Sequence, residues 1–357
     1  MAAQEMEMIA RALVAPNKGI LAADESTGTI EKRFKNINVP NTEENRRDYR
    51  ELLFTTPDIS KFISGVILYD ETIRQKNKEG TPLVEILKQQ GLIPGIKVDK
   101  GAKPLAGFPG EKITEGLDGL RARFEEYYKL GARFSKWRAV ITIGNGIPTL
   151  ACIKANAHAL ACYAALSQEA GIVPIVEPEV LMDGSHTLQR CAEVTELTIR
   201  IVFEELFMQR VVFEQMLLKP NMVTAGKDSP EQASVSDVAK ATIRVLRHSV
   251  PAAVPGIVFL SGGQNDILAT EHLNAMNQLG PHPWQLSFSY GRALQDAPLH
   301  AWLGNPSNRA TAQQAFLHRA ECNGMARSGK YSEQLEAGSG NGQATARKPI
   351  VASASQD

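Results

Sequence analysis

Lys219 closes an apolar run, Gln215-Met-Leu-Leu-Lys219, that Pro220 and Asn221 stop at once. A lysine at a strand end either snorkels to the surface or stands, partly desolvated, at the mouth of a pocket. Its company favours the pocket. Side chains two apart on a strand share a face, so Lys136 goes with Arg138, Glu177 with Glu179, and Lys97 with Asp99. Trp137, Val176 and Val180 fall on the opposite faces and suit packing against helices. That turns the charged sets inward, where they must compensate one another or a ligand. The bland alternative is a structural ion network closing one end of the fold.

Such a set suits covalent catalysis by an amine. A lysine nucleophile must be neutral, which desolvation and a neighbouring cation such as Lys136 both favour. Attack of Lys219 on a carbonyl gives a carbinolamine, which loses water to become an iminium. Glu177 is the best placed acid/base for those proton transfers. The iminium is then an electron sink for breaking or making an adjacent carbon–carbon bond. Asp24, at the end of an earlier strand, is the candidate base for the departing hydroxyl.

Anion binding is indicated separately. Ser261-Gly-Gly263 and Gly291-Arg292 each follow a strand. Glycines let backbone N–H groups approach an oxyanion, and arginine offers a forked charged donor. A single Ser-Gly-Gly means little, but Arg292 at the next strand end strengthens the case for a phosphate. Ser26, Thr29, Lys32 and Arg33, with Lys97, form a second candidate group, expected at the opposite side of the mouth.

These residues need strands to carry them, and the chain supplies eight: Gly19–Asp24, Ile63–Asp70, Pro94–Asp99, Phe134–Val140, Val173–Val180, the Lys219 run, Gly256–Gly263 and Gln285–Gly291. Glu25 to Thr29 reads as a polar loop. Helical patterns cover Glu5–Val14, Glu43–Phe54, Thr81–Gln89, Ile113–Leu130, Thr149–Ala170, Ser185–Phe213, Ser234–Val250, Asn265–Leu279, Arg292–Trp302 and Ser307–Met325. Strand and helix alternation predicts βα units with a parallel sheet. An open doubly wound sheet would bring a glycine-rich loop after the first strand, and Gly28 alone does not make one. Functional residues at nearly every strand end favour an α/β fold of the (β/α)8 TIM barrel kind. Residues 1–336 are expected to form that one domain. Residues 337–357, opening into Gly338-Ser-Gly-Asn-Gly342, are expected to be a flexible tail.

Bulk properties narrow the class. The 357 residues carry no formal net charge and 22% charged residues, which fits a soluble enzyme and argues against a nucleic-acid partner. The N-terminus lacks the pattern of a signal or transit peptide, and no apolar segment is long enough for a membrane span. The four cysteines suit a reducing compartment. They and the seven histidines show no compact ligand spacing, so neither a metal site nor a cofactor is expected.

The chain resembles the class I fructose-bisphosphate aldolases, the metal-free, Schiff-base family. The resemblance rests on Gly19-Ile-Leu-Ala-Ala-Asp-Glu-Ser-Thr-Gly28, Asn41-Thr-Glu-Glu-Asn-Arg-Arg47, Gly95-Ile-Lys-Val-Asp-Lys-Gly101 and Lys136-Trp-Arg138. Val176-Glu-Pro-Glu179, Leu217-Leu-Lys-Pro-Asn-Met-Val-Thr224, Phe259-Leu-Ser-Gly-Gly-Gln264 and Phe288-Ser-Tyr-Gly-Arg-Ala-Leu294 extend it. It implies reversible cleavage of fructose 1,6-bisphosphate to dihydroxyacetone phosphate and glyceraldehyde 3-phosphate. It also implies Lys219 as the Schiff-base lysine, Glu177 as the acid/base for dehydration and Asp24 as the base at the C4 hydroxyl. Lys136 is similar to the family's assisting cation, with Arg138 and Glu179 as supporting charges. Ser261, Gly262, Gly291 and Arg292 match the ketose-end phosphate site, and Ser26, Thr29 and Lys97, with Arg33, the other. Thr29 stands where many relatives have serine. A homotetramer and a cytoplasmic location are implied as well.

Two departures accompany the resemblance. Phe213-Glu-Gln-Met216 stands before the Lys219 strand where animal and plant members carry Glu-Gly-Thr, and the last tyrosine is Tyr331 where many relatives end in one. The alternatives are a related Schiff-base lyase or transaldolase-like enzyme acting on sugar monophosphates, and a barrel retained only as a scaffold. Lys219, Glu177, Lys136 and Asp24 together argue against the scaffold.

Overall fold

The computed structural model describes residues 2–337, so the expected tail, 337–357, lies outside the described residues except for Ala337, which ends the helix Glu333–Ala337. Its strands are β1 (Gly19–Ala23), β2 (Ile63–Leu68), β3 (Ile93–Lys97), β4 (Ala102–Pro104) and β5 (Lys112–Thr114). They continue with β6 (Phe134–Ile141), β7 (Val173–Val180), β8 (Leu217–Leu218), β9 (Gly256–Phe259) and β10 (Gln285–Tyr290). All but β4 and β5 close into one barrel in chain order. Every neighbouring pair is parallel, and β10 returns to β1 through Ile20 with Ser289 and Leu21 with Tyr290. β4 and β5 form a separate antiparallel hairpin.

Strand periodicity builds this arrangement. Leu21, Ala23, Trp137, Ala139, Val176, Val180 and Leu218 face outward into the large core shared with the helices. Ile20, Ala22, Phe134, Val173, Ile175, Leu217 and Val258 face inward and form a second, smaller core. That inner core also contains Met6, Ala10, Leu13 and Val14. The first three lie on the helix Ala2–Leu13, at i, i+4 and i+7. Its apolar stripe is thereby spent as a stopper beneath the barrel.

Two steps further along the inward face the chemistry changes: Ala22 gives way to Asp24, Phe134 to Lys136, Ile175 to Glu177 and Leu217 to Lys219. The barrel is apolar below and charged above. Parallel pairing puts all of these transitions on the same side of the barrel, past the ends of β1 and β8 and within the longer β6 and β7.

Four local expectations are corrected. The hydroxyl-rich stretch expected as a loop starts a helix, Thr27–Lys35, with Ser26 at its N-cap and Ile30 and Phe34 buried one turn apart. β2 stops at Leu68, and Asp70 opens the short helix Asp70–Arg74, where it accepts from Tyr127 and Arg74. The helix expected from Ile113 begins only at Leu120, because Lys112–Thr114 pairs with Ala102–Pro104 and Gly119 turns the chain at φ 68°. The ladder at Lys219 is short: Lys219 N still donates to Val176 O at 2.8 Å, but Pro220 has no N–H to continue. The Asn221 side chain takes over by accepting from Val180 N at 2.9 Å.

Gly65 is where the stopper, β2 and β6 meet. A Cβ there would fall 2.8 Å from Leu13 Cδ2, 2.9 Å from Ile93 O and 2.9 Å from the Phe134 ring. None of these can retreat, since Leu13 and Phe134 are fully buried and the third is backbone. Gly65→Ala is therefore expected to cost about 1–3 kcal/mol by overpacking. Gly28 lies in a helix with nothing within 4 Å of its Cβ position, so Gly28→Ala should stabilise by roughly 0.5–1 kcal/mol. Urea unfolding of both variants tests the pair, and two shifts of the same sign would contradict the packing account.

Candidate active site

The charged ends of β1, β3, β6, β7 and β8 converge on a cavity of about 620 Å³. Four side chains form its floor. Lys136 Nζ lies 2.7 Å from Asp24 Oδ2 and 3.3 Å from Glu177 Oε2. Lys219 Nζ lies 3.2 Å from Glu177 Oε1. Lys136, Glu177 and Lys219 are each at most 5% exposed. One carboxylate thus lies between two amines. Glu177 Oε2 is buried and, apart from its ion contact with Lys136, makes no hydrogen bond among the described residues. Lys219 and Lys136 are brought together as expected, with the carboxylate between them.

The electrostatics follow from this geometry. Burial alone would raise the pKa of Asp24, but the positive charges of Lys136 and then Lys219 outweigh it and hold the carboxyl well below the usual range. Burial would likewise strip the proton from Lys136. Asp24, then Glu177 and Asp99, overcome that and hold its ammonium above the ordinary lysine value. Lys136 is a fixed cation, and Asp24 a fixed anion beside it.

A supporting ring surrounds the floor. Glu179 accepts a short hydrogen bond from Arg138 Nε. The Asp99 carboxylate pairs with Lys97 Nζ at 2.8 Å and accepts from Gly101 N at 3.1 Å and from Arg138 N at 3.2 Å. Ser26 and Thr29 hydroxyls bond each other at 3.0 Å. Arg33 donates to Glu25 at 2.6 Å. On the other flank Gly262 and Gly263 take φ of +56° and +90°, a conformation that side chains disfavour. They let the Ser261 loop lie against Arg292, whose guanidinium would be 3.7 Å from a Cβ on Gly263. Arg292 makes no ion pair or hydrogen bond with a described residue and sits at the first turn of the helix Arg292–Trp302.

Every residue selected from sequence lines this cavity: Lys219, Glu177, Asp24, Lys136, Arg138, Glu179, Ser26, Thr29, Arg33, Lys97, Ser261, Gly262, Gly291 and Arg292. The placement of the two anion groups is corrected. β1 and β10 are neighbours in the barrel, so the groups do not face each other across its full width. Arg33 Nη2 would lie 3.6 Å from a Cβ on Gly291 and so reaches the Arg292 flank.

Other contributors were missed. Glu25 and Gln295 tie β1 to the last barrel helix: Gln295 Nε2 donates to Glu25 Oε1 and to Ala22 O, both at 2.7 Å. Gln264 Nε2 donates to Ser261 O at 3.0 Å, and His272 Nδ1 meets Gln264 Oε1 at 2.5 Å. His272 is buried, and that burial holds it neutral, near a pKa of about 4. A neutral ring can donate to Gln264 and brace the Ser261 loop at every pH of interest. No spacing in the sequence links His272 to that loop; the link exists only after the helix Asp266–Gln278 folds back.

Comparison with known proteins gives a consistent result. A family model described as fructose-bisphosphate aldolase class-I matches residues 5–349. The probable fructose-bisphosphate aldolase class 1 of Xanthomonas campestris pv. campestris is 60% identical, over 93% of this chain and 99% of its own. The cytosolic fructose-bisphosphate aldolase 4 of Arabidopsis thaliana is 54% identical, over 94% and 86%. The solved structure of fructose-bisphosphate aldolase from Plasmodium falciparum, in complex with TRAP and a small-molecule inhibitor, superposes with a TM-score of 0.92. It is 52% identical and the match covers 93% of this chain and 96% of that one.

The floor has a pH signature. Asp24 has its folded pKa depressed below the unfolded value of about 3.9. Its stabilising contribution is therefore present above about pH 4 and is lost as pH falls through and below that value. Lys136 has its folded pKa raised above about 10.4, so its contribution persists through neutral pH and is lost only in strong base. The stability difference between the parent and Asp24→Asn should be flat from about pH 5 to pH 9 and shrink toward pH 3. Urea midpoints across that range measure it; a difference that grows on acidification would rule out the assignment.

Proposed function

The chain belongs to the class I fructose-bisphosphate aldolase family, and from that membership we propose how its barrel mouth performs the reversible cleavage of fructose 1,6-bisphosphate. The observation that carries the reading is the pair of buried amines on the two oxygens of Glu177. Lys219 Nζ attacks the substrate ketone carbon, the carbonyl oxygen takes a proton, and the resulting hydroxyl leaves as water with Glu177 as the proton donor. Glu177 is within reach of the reacting nitrogen without any rearrangement. Lys136, held charged, stabilises the oxygen as negative charge develops on it.

In the iminium, Asp24 accepts the proton of the C4 hydroxyl. The C3–C4 bond breaks, its electrons pass to C3 and the iminium nitrogen as an enamine, and glyceraldehyde 3-phosphate departs. Protonation at C3 and addition of water then release dihydroxyacetone phosphate and restore Lys219. Asp24 suits that task because its carboxyl is ionised at neutral pH. Arg138 and Glu179 fix the rim around this chemistry.

Two phosphates hold the substrate across the cavity. Ser261, Gly262, Gly291 and Arg292 take the ketose end, with backbone N–H groups and a guanidinium that no described residue pairs. Ser26, Thr29 and Lys97 take the other, with Arg33 between the two groups. The same reading places the protein in the cytosol as a homotetramer, the former stated in the name of the Arabidopsis relative for that protein. Among the described residues no helix is long and apolar enough to cross a membrane.

Lys219 is tested by trapping. Borohydride added with dihydroxyacetone phosphate should reduce the iminium, inactivate the enzyme and leave the adduct mass on the peptide that contains Lys219. Lys219→Arg should abolish trapping and lower kcat by several orders of magnitude, because guanidinium keeps its charge and cannot become a neutral nucleophile. Lys136→Ala should slow trapping without moving the adduct. An adduct on Lys136 or Lys97 would reassign the nucleophile.

The phosphate role is tested at Arg292. Arg292→Ala removes a charged, forked donor while leaving the floor intact. The expected loss is about 1.5–3 kcal/mol of binding, appearing chiefly as a raised KM for the bisphosphate. An unchanged KM would remove Arg292 from the site.

A further inference from the structure

Two cysteines follow a histidine by one helical turn, His158-x-x-x-Cys162 and His318-x-x-x-Cys322. This corrects the reading of the cysteines as having no compact pairing with histidines. In the helix Arg309–Arg327, His318 Nε2 lies 3.8 Å from Cys322 Sγ. The chain then turns past Tyr331, and the helix Glu333–Ala337 brings Glu336 Oε2 to 3.6 Å from the same nitrogen. The three donor atoms all lie within 4.8 Å of one another. Bonds of about 2.0–2.3 Å around a tetrahedral cation place neighbouring donors roughly 3.3–3.8 Å apart. The two measured separations already fall there.

The carboxylate is also positioned independently of any ligand. Arg319 Nη1 reaches Glu336 Oε1 at 2.5 Å and Oε2 at 2.6 Å, and the Tyr331 hydroxyl donates to Oε1 at 2.8 Å. A carboxylate offers about four lone-pair sites, so Oε2 retains one for the His318 side. Arg319 is itself fixed, with Nη2 donating to Thr270 Oγ1 at 2.7 Å and to Asp266 O at 3.1 Å. Outer partners of this kind orient a ligand set. The other pair differs. His158 meets Glu205 through Nδ1 at 3.0 Å and Cys162 through Nε2 at 3.5 Å, so its donors flank the ring and do not converge.

We propose that His318, Cys322 and Glu336 form a binding site for a divalent first-row cation of the zinc type, cross-linking the helices Arg309–Arg327 and Glu333–Ala337. Imidazole with thiolate selects such a cation over magnesium or calcium. On binding, the Cys322 thiol gives its proton to solvent, and the thiolate, with the Glu336 carboxylate that Arg319 already holds, offsets most of the positive charge of cation and guanidinium, with water as the fourth ligand. None of the three residues lines the Lys219 cavity. The site is separate from the aldol chemistry.

Cobalt(II) titrated into the reduced, chelator-stripped full chain is the probe. One equivalent should produce the intense near-ultraviolet absorption of a thiolate-bound cobalt ion, and zinc should displace it. Cys322→Ser and His318→Ala should each abolish the absorption, Tyr331→Phe should weaken binding about 10-fold or more, and Cys162→Ser should leave it unchanged. His318 is partly exposed, so His318→Ala keeps the test decisive if Cys322→Ser does not fold. No thiolate absorption in the parent protein, its survival in His318→Ala, or its loss in Cys162→Ser would each overturn the proposal.

Discussion

The mouth of this barrel is governed by the cost of burying charge. Removing an ammonium or a carboxylate from water costs several kcal/mol even after the protein relaxes. Asp24, Lys136, Glu177 and Lys219 escape that cost only together, and each is carried by a different strand, Asp24 and Lys219 just past β1 and β8 and Lys136 and Glu177 within β6 and β7. The group can form only when β1, β6, β7 and β8 are in register. A slip of one residue would turn every inward side chain outward, placing Trp137 and Val176 in the lumen and the charges among the helices. Catalytic geometry and correct sheet assembly are therefore one condition.

The apolar half of the lumen makes that condition sharper. Phe134, Ile175, Leu217 and the residues of the helix Ala2–Leu13 fill the space beneath the charges. That low-dielectric layer beneath them strengthens each ion contact above it. The supporting ring then acts by occupancy. Lys97 is paired with Asp99 and Arg33 with Glu25, whereas Arg292 makes no ion pair or hydrogen bond with a described residue.

Much of this was legible in the sequence because strand periodicity is local. Lys136 with Arg138 and Glu177 with Glu179 declare a shared face without any knowledge of the fold, and the alternation of patterns declares the barrel. The exceptions share a physical reason. The helix Thr27–Lys35 has only Ile30 and Phe34 to show an apolar face, too little to outweigh its hydroxyls and glycine. The hairpin of β4 and β5 is built from strands of three residues each, shorter than any pattern. His272 behind Gln264, Gln295 behind Glu25, and Glu336 beside His318 depend on contacts between segments far apart in the chain or separated by a turn. Residue types alone carry no record of such meetings.

The pairing of β1 with β10 has a further consequence. Ile20 and Leu21 meet Ser289 and Tyr290, so the ring is clasped by its first and last strands. During synthesis the stopper helix and β1 leave the ribosome long before β10, the last strand of the ring, follows. Until then the growing sheet has an open edge, and the amines and acids of its upper rim are still wet. Closure of the seam completes the wall around them, so the desolvation of the nucleophile depends on a contact between the two ends of the barrel sequence. A nascent or C-terminally shortened chain that lacks β10 therefore possesses Lys219, Glu177 and Asp24 and still has no enclosed place in which to use them.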